Sequence, residues 1–228
     1  IEECFGELSS EISALETGLS SDPIMNRYLS CLDDYILVSN SDAHSLAKLG
    51  REANLMDSEL NYPSIFKCIK TGEGFLGTIE FFPEEGKYHL DGHRRCGICL
   101  HPEETRRYGG ICPVCNRPVT VGVLHRVFEL ADRKSPQLQR PFYSLIPLDE
   151  ILAELMGSSP STKKVKEQYE MLLKEMGPEL HILMYIPLDQ IKDDPPLLKE
   201  AIKRMREGRV IREAGYDGRY GRIRLFKE

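Results

Sequence analysis

The sequence predicts a mixed fold in three parts: an α/β segment at residues 1–65, a β-hairpin with a zinc ribbon at 66–130, and a mainly α-helical region that ends in a β-hairpin at 131–228. Three observations predict this order. The continuous apolar run Tyr35–Val38 is typical of a buried parallel strand. Two Cys-x-x-Cys pairs follow it, and beyond them Val165, Tyr169 and Leu172 recur at helical spacing. A length of 228 residues accommodates two or three small domains.

The composition is that of an ordinary globular protein, with 41% hydrophobic and 29% charged residues. No apolar run approaches the roughly 18–20 residues of a membrane span, and no signal peptide is recognisable. We therefore expect a cytoplasmic location and no membrane partner. The cysteines outside the two pairs, Cys4, Cys31 and Cys68, suit the reduced thiols of a cytoplasmic protein. Because the chain begins with Ile1 rather than Met, we expect it to be part of a longer protein.

The net charge of −6 is unevenly distributed. Residues 1–65 hold three Lys or Arg against twelve Asp or Glu, whereas residues 131–228 hold eighteen against sixteen. An acidic N-terminal part and a more basic C-terminal part are consistent with a metal-binding part followed by a part that binds an anion.

The two Cys-x-x-Cys pairs, Cys96/Cys99 and Cys112/Cys115, are separated by twelve residues. Each pair supplies a tight turn whose two sulfurs point at one ion, so the spacing predicts a structural zinc site with four cysteine ligands. His93 precedes the first pair and can compete as a ligand, but four thiolates already complete a tetrahedron. The alternative, buried or disulfide-bonded cysteines, suits short secreted chains better.

Asp42 and His44 follow the predicted strand Tyr35–Val38, at the end where α/β folds place their sites. Positions two apart in an extended segment project to the same side, so the carboxylate and the imidazole can bind one metal ion together. The same spacing is also compatible with a surface turn.

Other patterns predict the elements around these sites. Ile12–Leu15 reads as a strand, and Pro23 begins a helix because proline suits the first helical position. Gly77–Phe82 is a strand that turns back into Lys87–Leu90 as a hairpin. A further strand at Val119–Leu124 leads out of the ribbon.

The last region contains an internal sequence repeat, called the echo below, in which the pattern of Ile146–Ile151 recurs 40 residues later as Ile186–Ile191. Each copy has Pro-Leu-Asp where a helix can open, but a solenoid needs more repeats. A final helix is predicted at Pro196–Glu207. The glycine-rich segment Gly215–Gly221 then forms either a hairpin that resembles a nucleic-acid-binding wing or a turn that needs positive φ.

Basic and aromatic side chains near the ribbon and in the tail are candidates for nucleic-acid contact. Arginine forks match phosphate geometry and tyrosines stack on unpaired bases, although such side chains are also common as solvated surface or core residues. The candidates are Arg51, Arg94, Arg95, Arg106, Arg107, Arg117, His125, Arg126, Tyr216, Arg219 and Tyr220.

Several segments match one known pattern across essentially the whole chain. They are Ser39–His44 with Lys48–Ala53, Gly92–Cys99, Gly110–Cys115, Gly122–Val127 and Gly215–Gly221. Together they resemble the endonuclease Q family of archaea and its bacterial relatives.

The resemblance implies an incomplete polymerase-and-histidinol-phosphatase (PHP) barrel at residues 1–65, then the zinc ribbon and a helical DNA-binding domain. It implies hydrolysis of the DNA phosphodiester 5′ to a deaminated nucleotide (uracil, hypoxanthine or xanthine) or an abasic one. Asp42 and His44 would be the last catalytic ligands of a site for divalent Zn, Mn or Mg, distinct from the structural zinc. The partners would be damaged DNA and proteins of replication or repair. The family's earlier ligands are missing from this sequence, so we expect this piece alone to be inactive.

Two other functions fit the same residues. One is a non-catalytic zinc-ribbon module that binds nucleic acid, in which Asp42 and His44 belong to a structural loop. The other keeps the PHP chemistry but hydrolyses a small phosphate ester.

Overall fold

The computed structural model describes residues 1–227, which fall into two compact units. The first comprises residues 1–143 and 214–221, and the second comprises residues 144–213 and those from 222 onward. The segments predicted at 1–65 and 66–130 therefore lie in one unit, whereas the tail is divided between the two. No helix in the described residues is long and apolar enough to cross a membrane.

The first unit alternates short strands and helices. In chain order, up to the boundary with the second unit, the elements are α1 (Glu2–Phe5), β1 (Ala14–Glu16), α2 (Pro23–Asn26), β2 (Ile36–Val38), β3 (Ala53–Met56), α3 (Tyr62–Thr71), β4 (Phe75–Glu80), β5 (Asp91–His93), β6 (Ile98–Leu100), α4 (Pro102–Arg107), α5 (Val123–Leu130) and β7 (Phe142–Ser144).

The strands β1 and β2 form a parallel pair, with Glu16 opposite Val38. The helix α2 between them is capped by Asp22, whose carboxylate accepts the N–H of Met25 at 2.7 Å. The predicted parallel strand, its partner and the helix start at Pro23 are therefore confirmed. Because the strands run in the same direction, the residues that follow each of them lie at one edge of the sheet.

A second sheet has the order β3-β4-β7, with β3 and β4 antiparallel. The helix α3 connects β3 to β4 and begins after Asn61, whose side chain accepts the N–H of Ser64. Ile36 of the first sheet packs with Cys68 of α3 and Phe75 of β4 in one buried cluster. The two sheets therefore share a core, which fixes the end of β2 relative to β4.

The hairpin predicted from Gly77–Phe82 into Lys87–Leu90 is not formed. Instead, β4 pairs with β3 and β7, and a 3₁₀ turn follows at Pro83–Glu85. The physical reason is that proline has no N–H with which to continue a strand ladder. The segment 87–90 bonds to the tail, because the N–H of Leu90 donates to the carbonyl of Gly215 at 3.0 Å.

The ribbon consists of the antiparallel hairpin β5–β6 followed by α4, which begins at Pro102. The strand predicted at Val119–Leu124 is wrong, because α5 begins at Val123. The N–H of Gly122 donates to the carboxylate of Asp91 at 2.7 Å and so leaves the ladder. This side-chain bond ends the extended segment and lets the helix start.

The second unit is mainly helical, as predicted. Its further elements are α6 (Leu148–Leu155), α7 (Lys163–Met176), α8 (Glu179–Met184), α9 (Leu198–Arg206), β8 (Ile211–Glu213) and β9 (Arg222–Arg224). Leu152, Leu172 and Ile202 are among its fully buried side chains. The two copies of the echo differ, since the first opens α6 and the second opens only a 3₁₀ turn at Leu188–Gln190.

Candidate metal centres and nucleic-acid surface

The ribbon brings four metal-binding side chains together. His93, Cys96, Cys112 and Cys115 each offer one ligand atom, and these atoms all lie within 4.8 Å of one another. The Nδ1 atom of His93 is 3.5 Å from the Sγ atom of Cys115. Within residues 1–227 this is the one such group of three or more His, Cys, Asp or Glu side chains. Three sulfurs and one imidazole are a recognised tetrahedral donor set for zinc, so the residues fit that ion.

The four ligands come from two similar turns. In each turn a ligand is followed three positions later by a second ligand, and the next residue is left-handed: Gly97 with φ 66° and Asn116 with φ 56°. The N–H of Gly97 donates to the Arg94 carbonyl, and the N–H of Asn116 donates to the Cys112 carbonyl. Glycine and asparagine are the residues that tolerate this conformation best. The turns are therefore His93-x-x-Cys96-Gly97 and Cys112-x-x-Cys115-Asn116.

Cys99 differs from its predicted role as a ligand. It lies in the middle of β6, where Ile98 and Leu100 pack into the ribbon core and Cys99 is exposed. Side chains alternate across a strand, so Cys99 points away from the cluster. His93 takes the fourth place instead. The sequence signal that identifies His93 as a ligand is the position of Gly97 directly after Cys96, which matches the position of Asn116 directly after Cys115.

The environment of the cluster favours a thiolate at Cys112. Burial raises the pKa of this thiol, but hydrogen bonds from the N–H groups of Val114 and Cys115 and from the thiols of Cys115 and Cys96 together bring the pKa below its ordinary value. Burial raises the pKa of Cys96 to about 11, with further contributions from the neighbouring thiols. Zinc binds thiolates, so a bound ion would displace the proton from Cys96.

Asp42 and His44 lie at the carboxyl edge of the β1–β2 pair, and both are exposed. The Nδ1 atom of His44 is 2.8 Å from the main-chain carbonyl oxygen of Asp42. Since a carbonyl oxygen only accepts hydrogen bonds, Nδ1 must carry the proton, and Nε2 remains as the metal-binding nitrogen. Asp42 has φ 44°, so this segment is a turn rather than extended, and the two residues do not form a complete metal site by themselves.

The loop that precedes Asp42 is held by side chains from later in the sequence. The side-chain amide of Asn54 bonds to both the N–H and the carbonyl of Ser39, at 2.9 and 2.8 Å. The Nε atom of Arg51 donates to the Ser41 carbonyl at 2.9 Å, and its guanidinium lies 5.7 Å from the centre of the Phe81 ring. The structure therefore gives Arg51, predicted as a nucleic-acid contact, a part in holding the loop.

Beneath this loop lies a fully buried carboxyl group, that of Glu80. Its neighbours are three hydroxyl groups: Thr17 and Ser39 contact Oε2 at 3.1 Å each, and Thr78 donates to Oε1. Burial raises the pKa of Glu80 to about 7, although the hydroxyl of Thr78 lowers it. The buried Glu52 raises the same pKa further by charge repulsion. No local sequence pattern marks a buried glutamate in a strand, so Glu80 is recognisable only from the packing around it.

Two of the predicted nucleic-acid contacts are corrected by the structure. Tyr216 is only 6% exposed, and its ring packs against Gly92, so its face is not open to a base. His125 is bonded through Nδ1 to the buried carboxylate of Asp91 at 2.5 Å, and its Nε2 faces Glu129 at 3.8 Å. An imidazole held between two acidic groups is poorly placed for phosphate.

The remaining predicted contacts are exposed, and several surround the tail where it bonds to the ribbon. Lys87 lies 4.6 Å from the centre of the Tyr220 ring, which is 69% exposed. A Cβ atom at Gly218 would lie 3.5 Å from the Tyr88 hydroxyl and 3.6 Å from Arg94. We call this group the ribbon–tail surface: Lys87, Tyr88, Arg94, Arg219 and Tyr220. The other exposed candidates are Arg95, Arg106, Arg107, Arg117 and Arg126.

The tail is fixed to the ribbon by Asp217, which itself has φ 45°. Its carboxylate accepts the N–H of Arg94 at 2.7 Å and the hydroxyl of Thr120 at 2.6 Å. These bonds hold the pKa of Asp217 below its usual range, the Thr120 hydroxyl contributing most. Of the two alternatives for Gly215–Gly221, the turn that needs positive φ is confirmed, at Asp217 and Gly218, and the segment is bonded along the ribbon.

Sequence comparison places the chain among longer proteins. A family model described as the MJ0043 C-terminal domain matches residues 147–209. The uncharacterized protein MJ0043 of Methanocaldococcus jannaschii is 34% identical over 219 residues, which cover 92% of this chain and 28% of the relative. The uncharacterized protein YqxK of Bacillus subtilis is 31% identical over 221 residues, which cover 94% and 53%. The chain thus spans about half or less of the length of these relatives.

Two solved structures are similar over the whole chain. The lesion-specific endonuclease PfuEndoQ from Pyrococcus furiosus has a TM-score of 0.88 and 31% identity, with 100% of this chain and 58% of that chain covered. Endonuclease Q in complex with a 27-mer duplex substrate, which has an abasic lesion at the active site, has a TM-score of 0.82 at the same identity and coverage. Because the likeness extends over every part of this chain, the chain belongs to the endonuclease Q family and corresponds to a portion of its solved chains.

Proposed function

We propose that this chain is the C-terminal portion of a metal-dependent DNA-repair endonuclease. The enzyme hydrolyses the phosphodiester 5′ to a deaminated nucleotide (uracil, hypoxanthine or xanthine) or an abasic one. The observation that carries the proposal is the hydrogen bond between Nδ1 of His44 and the Asp42 carbonyl, which leaves Nε2 available to bind a metal ion. This geometry occurs in a chain that is 31% identical to a lesion-specific endonuclease.

In this proposal the β1–β2 pair is the end of a PHP barrel. Divalent ions at such a site activate water and neutralise charge on the phosphoryl oxygens. Asp42 supplies an anionic oxygen and His44 a neutral nitrogen, while Asn54 and Arg51 hold the loop on which both stand. Two ligands do not complete the site, so the others would come from the part of the longer relatives that this chain does not span. We therefore predict no cleavage by residues 1–228 alone.

The ribbon–tail surface is proposed to bind the DNA. It combines two exposed tyrosines with the cationic side chains of Lys87, Arg94 and Arg219, which suits both base stacking and phosphate contact. Asp217 fixes the spacing between its ribbon part and its tail part. The ribbon zinc has the role of holding this surface in shape.

The test is a cleavage assay on the longer protein that contains this chain, with duplexes carrying uracil, hypoxanthine or an abasic site. Asp42→Asn and His44→Ala should each lower kcat at least about a hundredfold, the scale of losing one group that stabilises transition-state charge. Asp34→Asn is the matched control, since Asp34 is exposed and close in sequence. Equal rates for Asp42→Asn and the control would remove the catalytic assignment.

One alternative has an observation in its favour. The ribbon has a complete ligand set, whereas the Asp42–His44 edge has only two ligands, as expected of a non-catalytic nucleic-acid-binding module. Such a module binds through phosphates, so its affinity falls steeply with salt and shows no preference for a lesion. Comparing abasic and undamaged duplexes at two salt concentrations separates the two functions: lesion preference supports the endonuclease.

A further inference from the structure

Glu80 is a buried acid whose place in the fold calls for a function. It lies at the end of β4, and its three hydroxyl neighbours come from different segments: Thr17 follows β1, Ser39 follows β2, and Thr78 belongs to β4. One carboxyl group thus connects the ends of both strands of the parallel pair. Ionised carboxylates in such surroundings are usually paired with a cation, but here the three contacts are neutral hydroxyls.

Counting protons shows which form of Glu80 suits these contacts. The hydroxyl oxygen of Thr17 is 3.1 Å from Glu80 Oε2 and 3.3 Å from the Val38 carbonyl oxygen. A hydroxyl has one proton and a carbonyl can only accept. When Glu80 is protonated, it donates to Thr17, which donates to Val38, and both bonds are made. When Glu80 is ionised, the Thr17 hydroxyl can donate its one proton either to Glu80 or to the Val38 carbonyl, but not to both.

The network reaches the loop of Asp42 through Ser39. The Ser39 hydroxyl contacts Glu80, and the Ser39 main chain is bonded on both sides by Asn54. Ser39 is three residues before Asp42 in the sequence. Loss of a hydrogen bond at Ser39 would therefore alter the start of the loop that ends in Asp42 and His44.

The charged groups near this network are few. The carboxylate of the buried Glu52 accepts the Phe81 N–H at 3.2 Å, and its second oxygen is buried without a hydrogen-bond partner of good geometry. Burial raises the pKa of Glu52, whereas the Phe81 N–H, the Ser39 hydroxyl and Arg51 lower it, and Glu16 raises it further. A second negative charge beside Glu52 is unfavourable, which agrees with the pKa of about 7 for Glu80.

We infer that Glu80 is a positioning residue for the Asp42–His44 loop, which its protonated carboxyl holds in place through Thr17 and Ser39. The inference rests on the proposed function for its effect on catalysis, but the hydrogen-bond network does not depend on it. Ionisation of Glu80 would release one of the contacts and loosen the loop. Catalysis would then lose efficiency at alkaline pH without any change in the ligands themselves.

The first test compares pH profiles in the longer protein. Glu80→Gln keeps a donor and an acceptor but cannot ionise, so it should retain kcat near neutral pH, whereas Glu80→Ala should lose it. The ratio of kcat for Glu80→Gln to kcat for wild type should rise at least about fivefold between about pH 6 and about pH 9. Taking the ratio removes the pH dependence of metal-bound water, which both proteins share. Glu73→Gln is the control, because Glu73 is exposed.

A constant ratio across this range would overturn the inference and leave Glu80 as a structural residue. The second test does not need cleavage. In this chain, the ¹³C shifts of the Thr17 and Ser39 Cβ atoms should titrate with a midpoint of about 7 in wild type and not in Glu80→Gln. Absence of that titration in wild type overturns the inference even if the enzyme is active. Its presence supports the network even if the longer protein cleaves no DNA, which would contradict only the proposed function.

Discussion

Single residues decide the metal chemistry of the ribbon. The geometry assigns His93 rather than Cys99 to the cluster, so Cys99→Ser should bind one zinc as tightly as wild type. His93→Ala and Cys96→Ser should weaken zinc binding at least about tenfold, since even partners that only contact a ligand have effects of that size. The measurement is competition with a zinc chelator, followed by metal analysis. Loss of zinc from Cys99→Ser, with His93→Ala unaffected, would restore the four-cysteine assignment.

Ionisation of the single residue Glu80 should also change the stability of the fold with pH. Its pKa is about 7 in the folded chain against an ordinary 4.5, so the unfolded chain releases this proton first as pH rises. Stability should therefore fall between about pH 4.5 and about pH 7, and the loss should be constant above that range. A pKa shift of this size corresponds to a loss of about 3 kcal/mol in the free energy of unfolding of wild type between about pH 4.5 and about pH 8. Glu80→Gln cannot ionise and should not show this loss.

Urea unfolding of wild type and Glu80→Gln across this pH range gives the measurement, and Glu73→Gln supplies the control. Parallel curves for wild type and Glu80→Gln would mean that Glu80 has an ordinary pKa in the folded chain.

At the scale of elements, the tail depends on one aromatic ring. A Cβ atom at Gly92 would lie 2.5 Å from the Tyr216 ring, so glycine is what permits this ring to pack on β5. Tyr216→Ala should lower the free energy of unfolding of the first unit by about 3–5 kcal/mol, the range for truncating large buried aromatic side chains. Tyr220→Ala, in the exposed part of the same tail, should change it by about 0.5 kcal/mol or less.

Hydrogen exchange at Leu90 and Gly92 is the direct measurement, because their N–H groups bond to Gly215 and Thr120. Tyr216→Ala should speed exchange at Leu90 most. Equal exchange in the two variants would mean that the tail is held by its main-chain bonds alone.

At the scale of the whole molecule, the two units should respond differently to loss of metal. The cluster of His93, Cys96, Cys112 and Cys115 lies in the first unit, and a structural zinc bound there would contribute directly to folding free energy. Treatment with a chelator should therefore speed hydrogen exchange across residues 88–120. Exchange in α6, α7 and α9, whose core is made of Leu152, Leu172 and Ile202, should stay unchanged. Faster exchange throughout both units would contradict this division.

Local patterns were sufficient where a local cause determines the structure. The apolar run Tyr35–Val38 became the parallel strand β2, and Asp22 with Pro23 began a helix, because burial and capping act over a few residues. The predicted hairpin at Lys87–Leu90 failed for the opposite reason. The partner of that segment is Gly215–Gly218, more than a hundred residues away, and no local pattern identifies a distant partner.

The sequence by itself determined that a cysteine-rich segment able to bind a metal lies between a buried parallel strand and a helical region, and that Asp42 and His44 lie at a strand end. Only the tertiary structure decided that His93 replaces Cys99, that Tyr216 is buried while Tyr220 is exposed, and that Glu80 lies beneath the Asp42 loop. The physical reason is that spacing along the chain fixes which residues can form a turn or a face. Which side of a strand is buried, and which distant hydroxyls surround a carboxyl group, depends on how the elements pack.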